Sequence, residues 1–271
     1  MVLLPVVVLV PRTADIGAKR LGGAGCLSTI RRVGGSYVFS DEEYLDHVQA
    51  VEQRLGALRR QGVDSRTLFG RLEGGRVRWS AARRTQHRRL LADLWEHRGS
   101  QVGHEGRALF VGGVDGAGKT TLQSDPDLHL DADQYLIVDP NRIKEAMAER
   151  GMIPQVEGLS PMEASLLVHE EASELAERLA QKAYSEGCNV LREIDMSSEQ
   201  PVRARIEALR SIGYGPIDGT FADASVEIAS ERAALRHRHG EEAYRNGQGH
   251  GGRFTPQVVF DDSRPTAGTG N

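Results

Sequence analysis

A glycine-rich segment that ends in Gly-Lys-Thr has the clearest chemistry in the sequence. Residues 113–120 follow the pattern G-x-x-x-x-G-K-T, and an apolar run at residues 108–111 precedes them. Glycines in such a loop allow positive φ angles, so that backbone N–H groups can close on phosphate oxygens. The lysine would reach the β- and γ-phosphates, and the threonine hydroxyl would bind Mg²⁺. The segment therefore predicts a P-loop for a nucleoside triphosphate, with ATP as the expected ligand.

The predicted nucleotide contacts include the whole loop and the first residues after it. They are Gly113, Val114, Asp115, Gly116, Ala117, Gly118, Lys119, Thr120 and Thr121. A helix that begins near Gly118 would add the positive end of its dipole to the same phosphate site. The alternative is a glycine turn with a lysine that only caps it. The strand-like run before the loop and the helical pattern after it favour the P-loop.

Composition favours a soluble, cytoplasmic protein over a nucleic-acid or membrane protein. The 271 residues carry a formal net charge of −4, with 39% hydrophobic and 27% charged residues. The acidic balance argues against a nucleic-acid partner, and the apolar residues 1–10 are too few to span a membrane. Cys26 and Cys188 are far apart in the sequence, which suggests neither a disulfide framework nor a metal site. We therefore expect a reducing, cytoplasmic location.

Alternating strand and helix patterns predict an α/β fold. After the P-loop, short apolar runs at residues 135–138, 189–194 and 217–221 are each followed by a helical pattern. The predicted helices lie at about 141–150, 160–187, 200–212 and 226–239. Strands that alternate with helices form a parallel sheet covered on both faces. The expected architecture is the three-layer P-loop kinase fold.

The chain is predicted to have four parts. Residues 1–35 form an irregular extension, 36–103 a helical N-terminal segment, 104–260 the kinase-like domain and 261–271 a disordered tail. The helical segment has two amphipathic patterns, one that begins at an N-cap at Ser40 and one at residues 81–97. The sequence has no methionine between Met1 and Met147. One hypothesis is that the natural start lies later than Met1, at a codon such as that of Val33.

Charged residues near the ends of the predicted strands and late in the chain are candidates for catalysis. Phosphoryl transfer needs a group that orients the acceptor, a metal, and cations on the transferred phosphoryl group. Asp139 ends the strand after the P-loop, and its alternative role is the N-cap of the next helix. Glu193 and Asp195 end the following strand, where carboxylates could bind a sugar or nucleotide hydroxyl, and surface placement is their alternative. Arg232 and Arg253 are the candidate cations.

Further runs extend the similarity to a known family beyond the P-loop. They are residues 135–138, 153–165, 168–171, 196–198, 251–253 and Pro256. With these runs, residues 107–259 resemble the zeta toxin family, in particular its larger actinobacterial form. The resemblance implies a kinase that uses ATP and Mg²⁺ to phosphorylate the 3′-hydroxyl of the sugar in UDP-N-acetylglucosamine, which blocks cell-wall precursor synthesis. It also implies an epsilon-type antitoxin as partner.

The resemblance assigns roles to residues by their position in the matched motifs. Lys119 and Thr120 would serve the nucleotide and the metal. Arg232 and Arg253 match the two arginines that stabilise the transferred phosphoryl group. Glu193 matches the acidic residue near the sugar substrate.

The chain departs from the family pattern at two positions that bear on the reaction. Asn141 stands where the family usually has an aspartate as catalytic base, so we expect Asn141 to orient the acceptor and Asp139 to be the nearest carboxylate. Asp115 stands where a proline is common, which is similar to thymidylate kinases. Two alternatives stay open. Asp115 favours a kinase of another nucleotide or small metabolite, and Asn141 favours a catalytically impaired nucleotide-binding protein.

Overall fold

The structure, a computed structural model, describes residues 36–122, 131–194 and 199–261. The predicted extension at 1–35 and residues 262–271 of the predicted tail lie outside the described residues. The helices are α1 Asp41–Arg60, α2 Ser65–Phe69, α3 Ala81–Leu94, α4 Lys119–Leu122, α5 Pro140–Glu149, α6 Pro161–Ala164, α7 His169–Ser185, α8 Glu199–Ser211, α9 Val226–Arg245 and α10 Gln257–Asp261. The strands are β1 Gly70–Glu73, β2 Arg76–Trp79, β3 Ala108–Gly112, β4 Leu136–Val138, β5 Val190–Glu193 and β6 Ile217–Phe221. In these ranges, no helix is both long and apolar enough to cross a membrane.

Strands β3 to β6 form a parallel sheet in the order β4-β5-β3-β6. All five residues of β3 are buried, as expected for a parallel strand that is covered on both faces. Phe110 packs against Leu209 of α8, whereas Val111 packs with Leu191 on the opposite face of the sheet. The predicted α/β class with a parallel sheet is confirmed.

Parallel pairing places the carboxyl ends of three strands next to one another. Arg192 of β5 pairs with Val138 of β4 on one side and with Phe110 of β3 on the other. Strand β3 leads into the P-loop, β4 ends just before Asp139, and β5 ends at Glu193. The sheet therefore brings the P-loop and two acidic residues to one edge, where open α/β sheets bind their ligands.

The N-terminal part contains a β-hairpin in addition to its predicted helices. Helix α1 confirms the first predicted helix, and Ser40 is its N-cap. Helix α3 is present but ends at Leu94, and it is not amphipathic, because its buried residues include Arg83 and His87 beside Leu90. Between α2 and α3, strands β1 and β2 pair antiparallel. Their connecting residues, Gly74 and Gly75, have φ angles of +58° and +77°, as a type I′ turn requires. A Gly-Gly pair between two short strands is a sequence signal for this hairpin, and we had not predicted it.

The prediction of one long helix at residues 160–187 is wrong. Helices α6 and α7 are separate, and a 3₁₀ turn, Ser165–Val168, joins them. The Ser165 hydroxyl donates a hydrogen bond to the Met162 carbonyl at 2.6 Å. Such local bonds compete with helical hydrogen bonds. The turn directs Leu166 toward Phe254, away from the core cluster that contains Met162.

Helix α9 continues beyond its predicted end near His239, to Arg245. Gly240 lies inside this helix, and a Cβ added there would come within 2.5 Å of the Gly252 Cα. The absence of a side chain lets the segment before Arg253 pass directly over the helix. Gly240 therefore allows the backbone at Gly252 to approach the helix closely, and it does not end the helix.

A buried carboxylate fastens α1 to the rest of the fold. Oε1 of Glu163 accepts hydrogen bonds from Nε2 of His47 at 2.6 Å and from Nε2 of His237 at 3.0 Å. Burial alone would raise the pKa of Glu163, but the hydrogen bonds from His237 and His47 lower it to about 2. Nδ1 of His47 faces the guanidinium of Arg245 at 3.2 Å, and a guanidinium can only donate, so Nε2 of His47 carries the proton. A histidine that binds a metal through Nε2 needs the opposite arrangement, so this group is a hydrogen-bonded cluster.

Glu163→Gln is expected to lower the free energy of unfolding at pH 7 by about 1 to 3 kcal/mol, the cost of leaving buried polar groups poorly paired. The folded-state pKa of about 2 lies below the reference value of 4.5, so the stabilisation is present above pH 4.5 and is lost as the pH falls from 4.5 toward 2. Denaturant unfolding curves of wild type and variant should therefore converge at acidic pH. Glu157→Gln is the control, because the Glu157 side chain is 97% exposed. Equal unfolding free energies at pH 7 for wild type and Glu163→Gln would contradict this account.

Candidate functional site

The loop between β3 and α4 has the backbone of a phosphate-binding loop. Gly113, Gly116 and Gly118 have φ angles of +132°, +84° and +99°, in the left-handed range that favours glycine. A Cβ at Gly116 would also lie 2.0 Å from the Ala229 carbonyl oxygen. Helix α9 thus packs directly on the loop, and the loop cannot carry a side chain at that point.

Lys119 begins α4 and turns its ammonium group back over the loop. Its Nζ donates to the carbonyl oxygens of Gly113 at 2.9 Å and Val114 at 3.1 Å. The Glu193 carboxylate lies 3.7 Å from the same nitrogen. These contacts place a positive charge at the mouth of the loop, on a flexible side chain that can exchange loop carbonyls for phosphate oxygens.

A cavity of about 590 Å³ opens beside the loop and collects most of the residues selected from the sequence. Those that line it are Asp115, Gly116, Gly118, Lys119, Thr120, Asp139, Asn141, Glu193, Arg232 and Arg253. Gly113, Val114, Ala117 and Thr121 belong to the loop or to α4 but do not line the cavity. Asp195 lies outside the described residues. The fold therefore brings residues from widely separated parts of the chain to one place.

Asp139 caps α5 and also lines the cavity. Its Oδ1 accepts a hydrogen bond from the backbone N–H of Asn141 at 2.8 Å, and the residue is buried. The cap uses one of the two carboxylate oxygens. Capping is thus compatible with a second role of Asp139 in the cavity.

Glu193 shares the cavity with Asp139 and interacts with it electrostatically. Burial and then the negative charge of Asp139 raise the pKa of Glu193 to about 6, against the opposing charges of Lys119 and Arg253. In proteins Mg²⁺ is held by one or two carboxylates and, in P-loop enzymes, by the Ser or Thr hydroxyl of the loop. The two carboxylates and the Thr120 hydroxyl line the same cavity, so the donor set fits a divalent cation next to the phosphate loop.

Helix α5 forms one wall of the cavity, and of its lining residues only Asn141 was predicted from the sequence. The others are Arg142, Glu145, Ala146 and Glu149. Positions 141, 145 and 149 are four residues apart and lie on one face of a helix. This spacing, directly after a strand end, is the sequence signal for the wall.

Asp115 is held by four hydrogen bonds from two separate segments. Oδ1 accepts from Nη1 of Arg236 at 3.2 Å and from Nη2 of Arg253 at 2.8 Å. Oδ2 accepts from Nη2 of Arg236 at 2.8 Å and from the Thr255 hydroxyl. Burial alone would raise the pKa of Asp115, but Arg253 and Arg236 hold it well below its usual range. Arg236 was not predicted as a site residue, although it lies one helical turn after Arg232 on α9.

Besides Arg142 of α5, three arginines that contact the phosphate loop line the cavity, namely Arg232, Arg236 and Arg253. Nη1 of Arg232 lies 3.5 Å from the Ala117 carbonyl oxygen, and within the described ranges Arg232 makes no ion pair. The other two arginines share the Asp115 carboxylate. Together with Lys119, they make this part of the cavity a site for an anion with several oxygens, such as a phosphate chain.

One protein-family model matches the part of the chain that forms this site. The family model described as Zeta toxin matches residues 97–267. No curated protein matches the sequence.

Two solved structures share the fold. The crystal structures of AvrRxo1-ORF1:AvrRxo1-ORF2 with sulphate ions and with ATP have TM-scores of 0.52 and 0.53 and sequence identities of 20% and 19%. Each alignment covers 68% of this chain and 56% of that chain, so this chain spans little more than half the length of those proteins. A structure of the PezAT chromosomal toxin–antitoxin system of the human pathogen Streptococcus pneumoniae has a TM-score of 0.47 and 19% identity, and covers 60% of this chain and 65% of that chain.

Proposed function

Because the chain belongs to the zeta toxin family, we propose that it is an ATP-dependent kinase that phosphorylates the 3′-hydroxyl of the sugar in UDP-N-acetylglucosamine. The observation that carries the proposal is one cavity that is lined by the phosphate loop, by Asp139 and Glu193, and by the three arginines that contact the loop. Phosphoryl transfer depends mainly on positioning and on cations that neutralise charge on the phosphoryl oxygens. Phosphorylation of this sugar nucleotide would block cell-wall precursor synthesis.

The nucleotide side of the proposed reaction uses the P-loop. Lys119 exchanges its loop carbonyl contacts for oxygens of the β- and γ-phosphates. Thr120 and a carboxylate of the cavity would hold Mg²⁺, which neutralises phosphate charge when bound. Arg232 and Arg253 act on the transferred phosphoryl group, where charge spreads over the equatorial oxygens in the transition state.

The acceptor side uses the strand ends and α5. Asn141 lines the cavity, and its side-chain amide can orient a hydroxyl but cannot accept a proton at neutral pH. Asp139 lines the same cavity and is the carboxylate that would accept that proton. Glu193, and Asp195 outside the described residues, would bind the sugar. We therefore propose a weak kinase in which Asn141 positions the acceptor and Asp139 serves as base.

A kinase of another nucleotide or small metabolite is the first alternative, and Asp115 is the feature that favours it. A carboxylate has about four lone-pair directions, and four hydrogen bonds from Arg236, Arg253 and Thr255 occupy those of Asp115. A nucleoside hydroxyl would have to displace one of these donors to reach it. This occupancy favours an internal role for Asp115 and weakens the alternative.

A catalytically impaired protein that acts by binding nucleotide is the second alternative. The amide of Asn141 favours it, because a site without a base would lose about 10² to 10⁴-fold in rate. The carboxylate of Asp139 in the same cavity favours residual catalysis. The two proposals differ in whether any acceptor gains a phosphoryl group.

We further propose an epsilon-type antitoxin as the protein partner. Membership of the family supports this proposal, and AvrRxo1-ORF1 is paired with AvrRxo1-ORF2 in two solved structures of the same fold. Expression of the chain should arrest bacterial growth, and coexpression of its antitoxin should restore growth. Growth arrest by the wild type and no arrest by a Lys119→Ala variant would link toxicity to the P-loop.

Arg232→Ala is expected to lower turnover by about 100-fold, the effect of removing one donor aimed at transition-state charge. ATP affinity should change by less than about threefold, because a group that acts mainly in the transition state contributes little to ground-state binding. Initial rates and equilibrium ATP binding separate the two quantities. Arg210→Ala, a change at an exposed position on α8, is the control. Equal losses of affinity and rate in Arg232→Ala would show that the arginine binds ATP in the ground state.

A panel of acceptors tests the proposed function. The purified protein is incubated with ATP, Mg²⁺ and, separately, UDP-N-acetylglucosamine, other sugar nucleotides, nucleosides and thymidine monophosphate, and mass spectrometry detects the gain of a phosphoryl group. We expect phosphorylation of UDP-N-acetylglucosamine. Phosphorylation of a different compound would support the first alternative, and ATP binding with no phosphorylated product would support the second.

A further inference from the structure

We infer that Asp115 is a positioning residue that holds the guanidinium groups of Arg253 and Arg236 against the phosphate loop for transfer of the phosphoryl group. The inference rests on the proposed kinase activity of this site. It adds a function for the side chain of Asp115, to which the proposed reaction gives no role, whereas the backbone of this residue belongs to the predicted nucleotide contacts.

The first support is that one carboxylate joins the loop to two other segments. Asp115 belongs to the loop, Arg236 to α9, and Arg253 and Thr255 to the segment that follows α9. Arg236 donates through both of its terminal nitrogens, and Arg253 donates through Nη2 at 2.8 Å. Paired charge-assisted bonds of this kind fix orientation as well as distance.

The second support is that Asp115 is the group that orients both guanidinium groups. In the part of the chain that the structure describes, Arg236 and Arg253 form ion pairs with Asp115 and with no other carboxylate. The Nε atoms of both arginines are buried and have no hydrogen-bond partner there. Arginine has five N–H donors, so the bond from Nη2 of Arg253 to Asp115 leaves Nη1 available for a phosphoryl oxygen.

The third support is the way in which the backbone around Arg253 is fixed. On one side, the Gly252 N–H donates to Oε1 of Glu241 at 2.8 Å, and a Cβ at Gly252 would lie 2.0 Å from the His237 carbonyl oxygen. On the other side, the Thr255 hydroxyl donates to Asp115. Helix α9 and Asp115 together clamp the short segment that carries Arg253. Loss of Asp115 would free the side chain of Arg253 and one end of the backbone segment that carries Arg253.

The test is a mutational cycle that compares wild type, Asp115→Ala, Arg236→Ala/Arg253→Ala and the triple variant. For each protein we would measure turnover, ATP affinity and the affinity for ADP with aluminium fluoride, an analogue of the transferred phosphoryl group. Asp115→Ala should lower turnover and analogue affinity by about tenfold or more, and change ATP affinity by less than about threefold. In the variant without the two arginines, removal of Asp115 should cause no further loss, because its effect acts through them.

Two further variants keep the result interpretable. Asp115→Asn preserves the shape of the side chain, so its losses of turnover and analogue affinity should be smaller than those of Asp115→Ala. If Asp115→Ala does not fold, Asp115→Asn takes its place in the cycle. Asp46→Ala, at an exposed position on α1, is the control.

The possible results separate this inference from the proposed function. Wild-type turnover and analogue affinity in Asp115→Ala, or losses that add fully in the triple variant, would overturn the role of Asp115 and leave the kinase proposal intact. If the wild type phosphorylates no acceptor yet binds the analogue, the proposed function fails, and the affinity cycle alone decides the inference. A wild type that binds neither ATP nor the analogue would overturn both.

Discussion

Lys119→Ala is expected to lower the rate of phosphoryl transfer by about 10³-fold or more, since a cation on the transferred phosphoryl group contributes about 10³ to 10⁵ in rate. The ammonium group lies at the mouth of the loop, within hydrogen-bond distance of two loop carbonyls. It belongs to no core cluster, so the temperature of thermal unfolding should stay at the wild-type value. Initial rates at saturating ATP and a thermal unfolding curve give the two numbers.

Lys182→Ala is the matched control for Lys119→Ala. Its ammonium group is exposed, on α7, and forms an i,i+4 ion pair with Glu186 at 3.4 Å. Pairs of this kind contribute little to stability, so the control should keep wild-type turnover and nearly wild-type stability. Wild-type turnover in Lys119→Ala would contradict the assignment of the P-loop.

Asp139→Asn is expected to lower turnover by about 100-fold or more. This is the lower end of the range of about 10² to 10⁴-fold that a general base contributes. Asparagine is as good an N-cap as aspartate, and its side-chain oxygen can still accept from the Asn141 N–H. The substitution therefore removes the charge and keeps the start of α5. Turnover and the unfolding free energy, measured on the same preparation, separate the proposed catalytic role from the cap.

Asn141→Asp is the reciprocal change, and it is expected to raise turnover by about tenfold or more, because it supplies a positioned base. Position 141 is in the first turn of α5, where a negative charge interacts favourably with the helix dipole, so the fold should tolerate it. No change in Asn141→Asp together with a collapse in Asp139→Asn would make Asp139 the sole working residue. If neither substitution has an effect and wild type is inactive while ATP binds, the kinase proposal fails and the nucleotide-binding alternative replaces it.

Features that are defined by a few neighbouring residues could be predicted from the sequence. The glycines of the loop, the apolar runs of β4 to β6 and the Ser40 cap are each defined within a few residues of sequence. Parallel pairing then follows from the alternation of strands with helices. Hence the sequence alone predicts that the residues at the strand ends lie at the same sheet edge as the loop.

Contacts between distant residues were not predictable. Arg236 and Arg253 bond to Asp115 across 121 and 138 residues of sequence, and Glu163 bonds to His47 across 116. No local period indicates which arginine will face which carboxylate, because the pairing is decided by how α9 and the segment after it pack on the loop. The division between α6 and α7 was missed for a similar reason, since a single serine hydroxyl competes with an otherwise regular helical pattern.

Following the γ-phosphoryl group of ATP in the wild-type protein, with Mg²⁺ and UDP-N-acetylglucosamine present, tests the proposed reaction itself. Isotopic label on that group identifies where it goes, and nuclear magnetic resonance of the product locates the new phosphate ester on the sugar. We expect the label on the 3′-oxygen of the sugar, in step with ADP formation. Release of the label as inorganic phosphate alone, or bound ATP that transfers no label to the sugar nucleotide, would contradict it.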